Sequence, residues 1–205
     1  MALASTWQNE FTNYFIIKMA IQFNIPTNLT LLRIALIPLL AVVFYFPWQY
    51  ANVACTFIFL LAGLTDWLDG YLARKLNMET PFGAFLDPVA DKLMVAFVLV
   101  LIVQQQATPY LAIPAAVIIG REITIASLRE WMAEIGQRAK VKVSKVGKWK
   151  TSAQMLAIGF LLYREDLCGL PINSLGYILL YIAAILTLWS MMSYLNAALK
   201  VINAN

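Results

Sequence analysis

Four aspartates in the middle of the chain have the residue type and spacing needed for metal-ion chemistry. They are Asp66, Asp69, Asp87 and Asp91, within the stretch DWLDGYLARKLNMETPFGAFLDPVAD. The residues around them are mostly apolar, and an Asp at the centre of a bilayer costs roughly 2.5 to 3.5 kcal/mol on insertion scales. Exposure to lipid would be unfavourable, so we expect the four carboxylates to face a shared polar site.

The spacing within each pair places its two carboxylates on one helix face. Asp66 and Asp69 are three residues apart, and Asp87 and Asp91 are four apart. If the two helices form an antiparallel hairpin that turns at residues 77–80, all four side chains lie at about the same depth. Like charges this close are stable only with cations between them, and an all-oxygen ligand set favours Mg²⁺ or Mn²⁺ over zinc. The sequence therefore predicts a divalent metal site.

Small residues and one arginine fit the same hairpin. Ala73 and Gly83 fall at equal depth near the turn, where they would let the two backbones approach. Gly70 leaves a gap beside the acidic residues that a phosphate can enter. Arg74, two turns from Asp66 on the same face, suits bidentate phosphate contact. The alternative is that these charged side chains only extend from helix ends to the membrane interface. It explains less well why so many of them fall at matching positions on the two helices.

The composition is that of a polytopic membrane protein. The chain has 205 residues, of which 61% are hydrophobic and 13% charged, with a mean hydropathy of +0.73. We expect an all-α fold with six transmembrane helices in one domain, residues 26–205. The juxtamembrane segment 1–25 has the aromatic residues of an interfacial amphipathic helix. There is no histidine, which excludes His-based phosphoryl transfer, Ser-His-Asp catalysis and His-ligated zinc.

Six apolar segments define the expected spans. They are Leu29–Phe46, Ala51–Leu76, Phe82–Val103, Tyr110 to about Ala133, Val146–Tyr163 and Leu175 to about Ala198. In the fourth, Arg121 lies deep enough that its guanidinium needs a partner. The fifth is long enough only if Lys148 and Lys150 snorkel to the interface.

The distribution of Lys and Arg predicts the orientation of these spans. The loops 47–50 and 104–109 contain neither residue type, and 164–174 contains only Arg164. The opposite loops carry a larger set: Arg74, Lys75, Arg138, Lys140, Lys142, Lys145, Lys148 and Lys150. By the positive-inside rule, both termini and the acidic hairpin face the cytoplasm.

The basic run at 138–150, RAKVKVSKVGKWK, has two interpretations. It is either a topology determinant in contact with anionic lipids, or a phosphate-binding wall for an anionic acceptor. Nucleic-acid binding is not expected, because Trp149 is its one aromatic residue and no folded module surrounds it.

The acidic stretch resembles the pattern of a known family. Asp66-x2-Asp69-Gly70-x2-Ala73-Arg74-x8-Gly83-x3-Asp87-x3-Asp91 matches the signature of the CDP-alcohol phosphotransferases, membrane enzymes that join a CDP-activated group to an alcohol. Segments at 22–38, 120–134, 146–155 and 186–195 are similar to the bacterial phosphatidylglycerophosphate synthases, in which the acceptor is glycerol 3-phosphate. The likeness covers nearly everything after residue 20.

The resemblance implies a reaction and a set of residue roles. A hydroxyl of glycerol 3-phosphate would attack the β-phosphorus of CDP-diacylglycerol and release CMP. Asp66, Asp69 and Asp87 would hold two Mg²⁺ or Mn²⁺ ions, and Asp91 would act as the base while contacting the second ion. Residues expected at CDP-diacylglycerol are Asn28, Arg33, Gly70, Arg74, Thr80 and Gly83, and those at the acceptor phosphate are Arg121, Lys148 and Lys150. The resemblance also implies a homodimer in the inner (cytoplasmic) membrane of a bacterium.

Two other functions stay open on the sequence alone. Intramembrane Asp residues also mark ion paths, as in a cation transporter, although the broken helices in paired halves that are typical of transporters are not visible. A sister enzyme would use serine, inositol phosphate or phosphatidylglycerol as its acceptor. The Lys-rich connection before the fifth span favours a phosphorylated acceptor over serine.

Overall fold

The computed structural model describes residues 24–76, 80–135, 145–167 and 169–202. Within these ranges the protein consists of six α-helices and contains no β-strand. In chain order the helices are α1 (Ile25–Tyr45), α2 (Ala51–Leu76), α3 (Pro81–Gln106), α4 (Pro109–Glu134), α5 (Lys145–Tyr163) and α6 (Ile172–Ile202). The loop before α6 contains an isolated bridge between Leu167 and Leu170. The expectation of an all-α fold is confirmed.

The helix boundaries follow the sequence signals closely. α2 has the predicted bounds, and α3 and α4 each begin with a proline at the first helical position. Proline suits that position because its missing N–H would have no partner within the helix. α1 starts at Ile25 rather than Leu29 and takes Pro26 into its first turn. The predicted amphipathic helix falls on residues before 24, outside the described part of the chain.

Four helices of the described chain are long and apolar enough to cross a membrane. They are Pro26–Tyr45, Ala51–Leu72, Pro109–Glu134 and Ile172–Asn196. Large apolar side chains such as Phe57 and Trp67 are exposed along these helices. Such surfaces are stable in contact with lipid chains. The protein is therefore a multi-pass membrane protein. α3 does not meet the same criteria, and the apolar part of α5, Thr151–Tyr163, is shorter, so the count of six spans stays a prediction.

The chain divides into two compact units. Unit 1 contains the residues up to Val43 together with Ile58–Val95, and unit 2 contains Phe44–Phe57 and the residues from Ala96 onward. In unit 1 the core includes Leu40, Phe59 and Ala90, which have no exposed surface. Polar side chains are buried there as well: Thr27, Thr30, Arg33, Thr65, Asp69 and Thr80. Because buried polar groups need partners, these side chains indicate a polar functional site within the apolar core.

Unit 2 is organised around α6, which packs against α4 and α5. At Gly176 on α6, an added Cβ would lie 2.9 Å from Leu161 Cγ and 3.2 Å from the Leu161 backbone nitrogen. The missing side chain therefore allows α5 and α6 to approach closely. Two tyrosines donate hydrogen bonds to glutamine side chains at the C-terminal end of α3, Tyr45 to Gln104 and Tyr177 to Gln106.

Candidate active site

The centre of the candidate site is a cluster of three carboxylates in unit 1, which we call the carboxylate triad. Asp66 and Asp69 come from α2, and Asp87 comes from α3. Each contributes one oxygen to a group in which all the oxygens lie within 4.8 Å of one another. Asp69 is fully buried, whereas about half of the Asp66 side chain is exposed. The hairpin argument from spacing therefore brings these three residues together as predicted.

Asp91 is not part of this triad. It lies one helical turn beyond Asp87 on α3, and its side chain is exposed. The expectation that all four carboxylates converge is met by three of them. The role of Asp91 as base and as ligand to a second ion stays a prediction.

The charge of the triad is partly compensated by Arg33 of α1. Its Nη1 lies 2.7 Å from Asp66 Oδ1, and its Nη2 donates to Asp69 Oδ2 at 2.6 Å. Asp87 Oδ1 is farther away, 3.7 Å from Nη1. Arg33 and Asp69 are both 2% exposed, so this is a fully buried ion pair. The resemblance implied that Arg33 contacts CDP-diacylglycerol. Its guanidinium lies against Asp66 and Asp69 here, and its contact with the donor stays a prediction.

Thr30, one turn before Arg33, also contacts the triad. Its hydroxyl lies 3.3 Å from Asp69 Oδ2 and 3.3 Å from Asp87 Oδ1. It is also 3.2 Å from the carbonyl oxygen of Pro26. The N-terminal half of α1 thus supplies both a cation and a hydroxyl to carboxylates from two other helices.

The donor set fits a hard divalent cation. Three ionised carboxylates and one guanidinium carry a net charge of −2, which one Mg²⁺ or Mn²⁺ ion would neutralise. Asp69 Oδ1 is buried and receives no hydrogen bond within the described chain, so it is available as a ligand. Asp66, Asp69 and Asp87 are the residues that would hold the ion.

Two threonines contact each other near the start of α3, at one end of the site. Thr80 is the N-cap of α3, where its hydroxyl accepts a hydrogen bond from the Gly83 backbone N–H at 3.0 Å. The same hydroxyl lies 3.3 Å from the hydroxyl of Thr27 on α1. A Cβ at Gly83 would approach these two oxygens to 3.0 and 3.2 Å, so glycine makes room for the contact between α1 and α3. The predicted approach of Ala73 to Gly83 involves a side chain outside the described part.

Within the described residues, no contact assigns a nucleotide-binding role to Asn28 or Gly70. Asn28 is exposed in the first turns of α1, and Gly70 is half-buried on α2, directly after Asp69. Arg74 lies on α2, and its side chain is outside the described part. Their assignment to the nucleotide pocket therefore rests on the resemblance.

A second polar cluster lies in unit 2, between α4 and α6. Arg121 is 10% exposed, pairs with Glu122 at 2.9 Å and donates to Ser190 Oγ at 3.0 Å. The Arg121 and Arg129 guanidiniums lie 5.9 and 5.4 Å from the centre of the Tyr194 ring. Arg129 also donates to the Tyr194 hydroxyl at 3.3 Å. Arg121 therefore has the polar partners that its expected depth in the membrane requires. Two guanidinium groups also lie near one aromatic ring.

The lysines predicted at the acceptor phosphate can be located only by their backbone. Lys148 and Lys150 lie in the first turns of α5. Their side chains, like the part of the basic run at 138–144, are outside the described residues.

Sequence reasoning missed several of the residues that the fold brings to these clusters. Thr30 shares a helix face with Arg33, since the two are three residues apart, and that spacing was the available signal. Ser190 and Tyr194 are four apart on α6 and meet α4, but no pattern within either helix alone shows that pairing.

Comparison with known proteins gives a consistent result. Residues 23–189 match the CDP-alcohol phosphatidyltransferase family. A Haemophilus influenzae protein named CDP-diacylglycerol–glycerol-3-phosphate 3-phosphatidyltransferase is 56% identical over 177 residues, which is 86% of this chain and 94% of that protein. Proteins with the same name from Pectobacterium atrosepticum and Salmonella typhimurium are 54% and 52% identical, over 86% of this chain and 96% of theirs.

The family match covers the whole of the carboxylate triad and the cluster on α4, and reaches residue 189 of α6. The high identity extends over nearly the full length of the relatives. The chain therefore belongs to the CDP-alcohol phosphatidyltransferase family.

Proposed function

We propose that the protein transfers the phosphatidyl group of CDP-diacylglycerol to glycerol 3-phosphate, giving phosphatidylglycerophosphate and CMP. The observation that carries this proposal is the carboxylate triad, in a chain of this family. One oxygen from each of its three carboxylates lies within 4.8 Å of the others. The names of relatives that are 52–56% identical support the choice of donor and acceptor. The reaction would be a step in phosphatidylglycerol synthesis, as the resemblance implies.

The position of the triad suits one lipid substrate and one soluble substrate. The apolar stretch of α2 ends at Leu72, three residues after Asp69. The carboxylates therefore lie near one end of a span, where a lipid head group can enter from the side. A water-soluble acceptor can reach the same depth from the aqueous phase. By the positive-inside argument, that phase is the cytoplasm.

Asp66, Asp69 and Asp87 hold the divalent ion or ions in this proposal. Bound Mg²⁺ or Mn²⁺ would neutralise the diphosphate of the donor and its leaving group. Arg33 limits the repulsion among the carboxylates, so that Asp69 can stay ionised in a buried position. Displacement at phosphorus requires mainly positioning and charge stabilisation from the protein.

Asp91 is proposed as the general base. It takes the proton of the attacking hydroxyl while the new O–P bond forms and the bond to CMP breaks. Its exposed position, one turn from Asp87, leaves it accessible to an incoming acceptor. The residues proposed around the donor, as the resemblance implies, are Asn28, Arg33, Gly70, Arg74, Thr80 and Gly83.

The acceptor phosphate is proposed to bind Arg121, Lys148 and Lys150. The support is that Arg121 is held between Glu122 and Ser190, so its guanidinium is oriented before any ligand arrives. Membrane lipids, CMP as a product and a second copy of the chain complete the proposed set of partners.

The test is a product assay with purified protein in lipid nanodiscs. CDP-diacylglycerol is supplied with glycerol 3-phosphate, serine, inositol phosphate or phosphatidylglycerol, and both CMP and the lipid product are measured. We expect CMP release with glycerol 3-phosphate alone, its loss in EDTA, and its recovery with Mg²⁺ or Mn²⁺. Asp69→Asn serves as the inactive control. A different acceptor would identify a sister enzyme, and the absence of CMP with every acceptor would refute the proposal.

A further inference from the structure

Thr30 has contacts that a structural role in α1 does not require. It is 2% exposed, and its hydroxyl has one proton for three acceptors. These are the Pro26 carbonyl oxygen at 3.2 Å and one oxygen each of Asp69 and Asp87 at 3.3 Å. A threonine in an apolar helix commonly satisfies its hydroxyl with the carbonyl one turn back. That explanation accounts for the Pro26 contact but not for the two carboxylates.

The two oxygens of Asp69 are in different surroundings. Oδ2 is approached by both Arg33 Nη2, at 2.6 Å, and the Thr30 hydroxyl. Oδ1 is buried and accepts no hydrogen bond within the described chain. A carboxylate that is held through one oxygen keeps its rotamer, and it presents the other oxygen in a fixed direction. Partners of this kind orient metal ligands, and losing one typically reduces metal affinity by about 10- to 100-fold.

We propose that Thr30 is a positioning residue for the divalent metal site. Its hydroxyl, together with Arg33, fixes Asp69 so that Oδ1 is directed to the ion, and it connects Asp69 of α2 with Asp87 of α3. The inference rests on the proposed metal-dependent function. Thr30 is preferred to Arg33 for the test because the residue is neutral. Its removal changes orientation without changing the charge of the site.

The experiment measures Mn²⁺ binding to the purified full-length protein by electron paramagnetic resonance, in which free Mn²⁺ is counted directly. Thr30→Val removes the hydroxyl at nearly constant volume, and Thr30→Ser keeps it. The matched control is Thr56→Val on α2, because the Thr56 hydroxyl donates to the Asn52 carbonyl oxygen at 2.8 Å. We expect Thr30→Val to raise the Kd for Mn²⁺ by about 10- to 100-fold. Thr30→Ser and Thr56→Val should bind like the unmodified protein.

Unchanged Mn²⁺ affinity in Thr30→Val would overturn the inference, and so would an equal loss of affinity in Thr30→Ser. If Thr30→Val is too unstable to purify, Thr30→Ala is assayed in native membranes for the Mn²⁺ concentration that gives half-maximal CMP release. An increase supports the inference, and no change refutes it.

Asp69→Asn is measured beside these variants. If the unmodified protein binds no Mn²⁺, or binds it no better than Asp69→Asn does, the metal site itself is wrong. If the unmodified protein binds Mn²⁺ and Thr30→Val binds it equally well, only the role of Thr30 is refuted.

Discussion

Replacing Arg33 with methionine tests whether its guanidinium is the internal counter-charge of the carboxylate triad. Arg33 and Asp69 are both 2% exposed, so the substitution leaves a buried carboxylate without its cation. Breaking a buried pair in this way costs about 3 to 5 kcal/mol. Asp66 is 48% exposed and adds less, because solvent screens it. For a chain of this size each kcal/mol lowers the melting temperature by about 2 to 4 °C, so we expect a fall of roughly 6 to 20 °C.

The assay is thermal unfolding of detergent-purified protein, followed by tryptophan fluorescence in EDTA and in Mg²⁺. A divalent ion supplies positive charge to the same carboxylates, so Mg²⁺ should raise the melting temperature of Arg33→Met more than that of the unmodified protein. The control is Arg129→Met, because the Arg129 side chain is exposed and lies 5.4 Å from the Tyr194 ring centre. Its loss should cost under about 1 kcal/mol. An Arg33→Met protein that melts within about 2 °C of the unmodified one in EDTA would refute the reasoning.

Further substitutions test other parts of the site. Asp91→Asn should abolish turnover while leaving part of the binding of metal and CDP-lipid, measured by CMP release and Mn²⁺ titration; near-normal rates would exclude Asp91 as the base. Lys148→Ala should chiefly raise the KM for glycerol 3-phosphate, since a ground-state contact is lost, and a change confined to the KM for CDP-diacylglycerol would place this lysine wrongly. Gly83→Ala should lower the free energy of unfolding by about 1 to 3 kcal/mol, because its Cβ would meet Thr80 and Thr27 at 3.0 and 3.2 Å. Thermal unfolding that matches the unmodified protein would show that the two hydroxyls move aside.

The helices and the core of the site follow from local sequence rules. Apolar run length and proline position fix the helix boundaries to within a few residues. The spacing of Asp66, Asp69 and Asp87 is enough to bring three carboxylates together once the hairpin is assumed. These features depend on helical periodicity and on the cost of an isolated charge in lipid, both of which can be evaluated from the sequence.

Contacts between α1 and the triad could not be predicted in the same way. Thr30 and Arg33 were visible as polar residues in an apolar helix, but the rotation of that helix about its axis is set by packing in three dimensions. Arg33 could equally have faced a phosphate or the interface. The absence of Asp91 from the group of three carboxylates has the same origin, because equal depth in a hairpin does not by itself determine which side chains meet.

The tyrosine–glutamine hydrogen bonds at the C-terminal end of α3 have a consequence for the response of the protein to bilayer thickness. Tyr45 and Tyr177 lie near the ends of two spans, where tyrosine prefers the membrane interface, and each is bonded to an amide that hydrocarbon would solvate poorly. These two hydrogen bonds therefore connect this end of α3 to the ends of α1 and α6. If α3 crosses the membrane as predicted, we expect the lipids around it, rather than the position of α3, to adjust to a thinner or thicker bilayer.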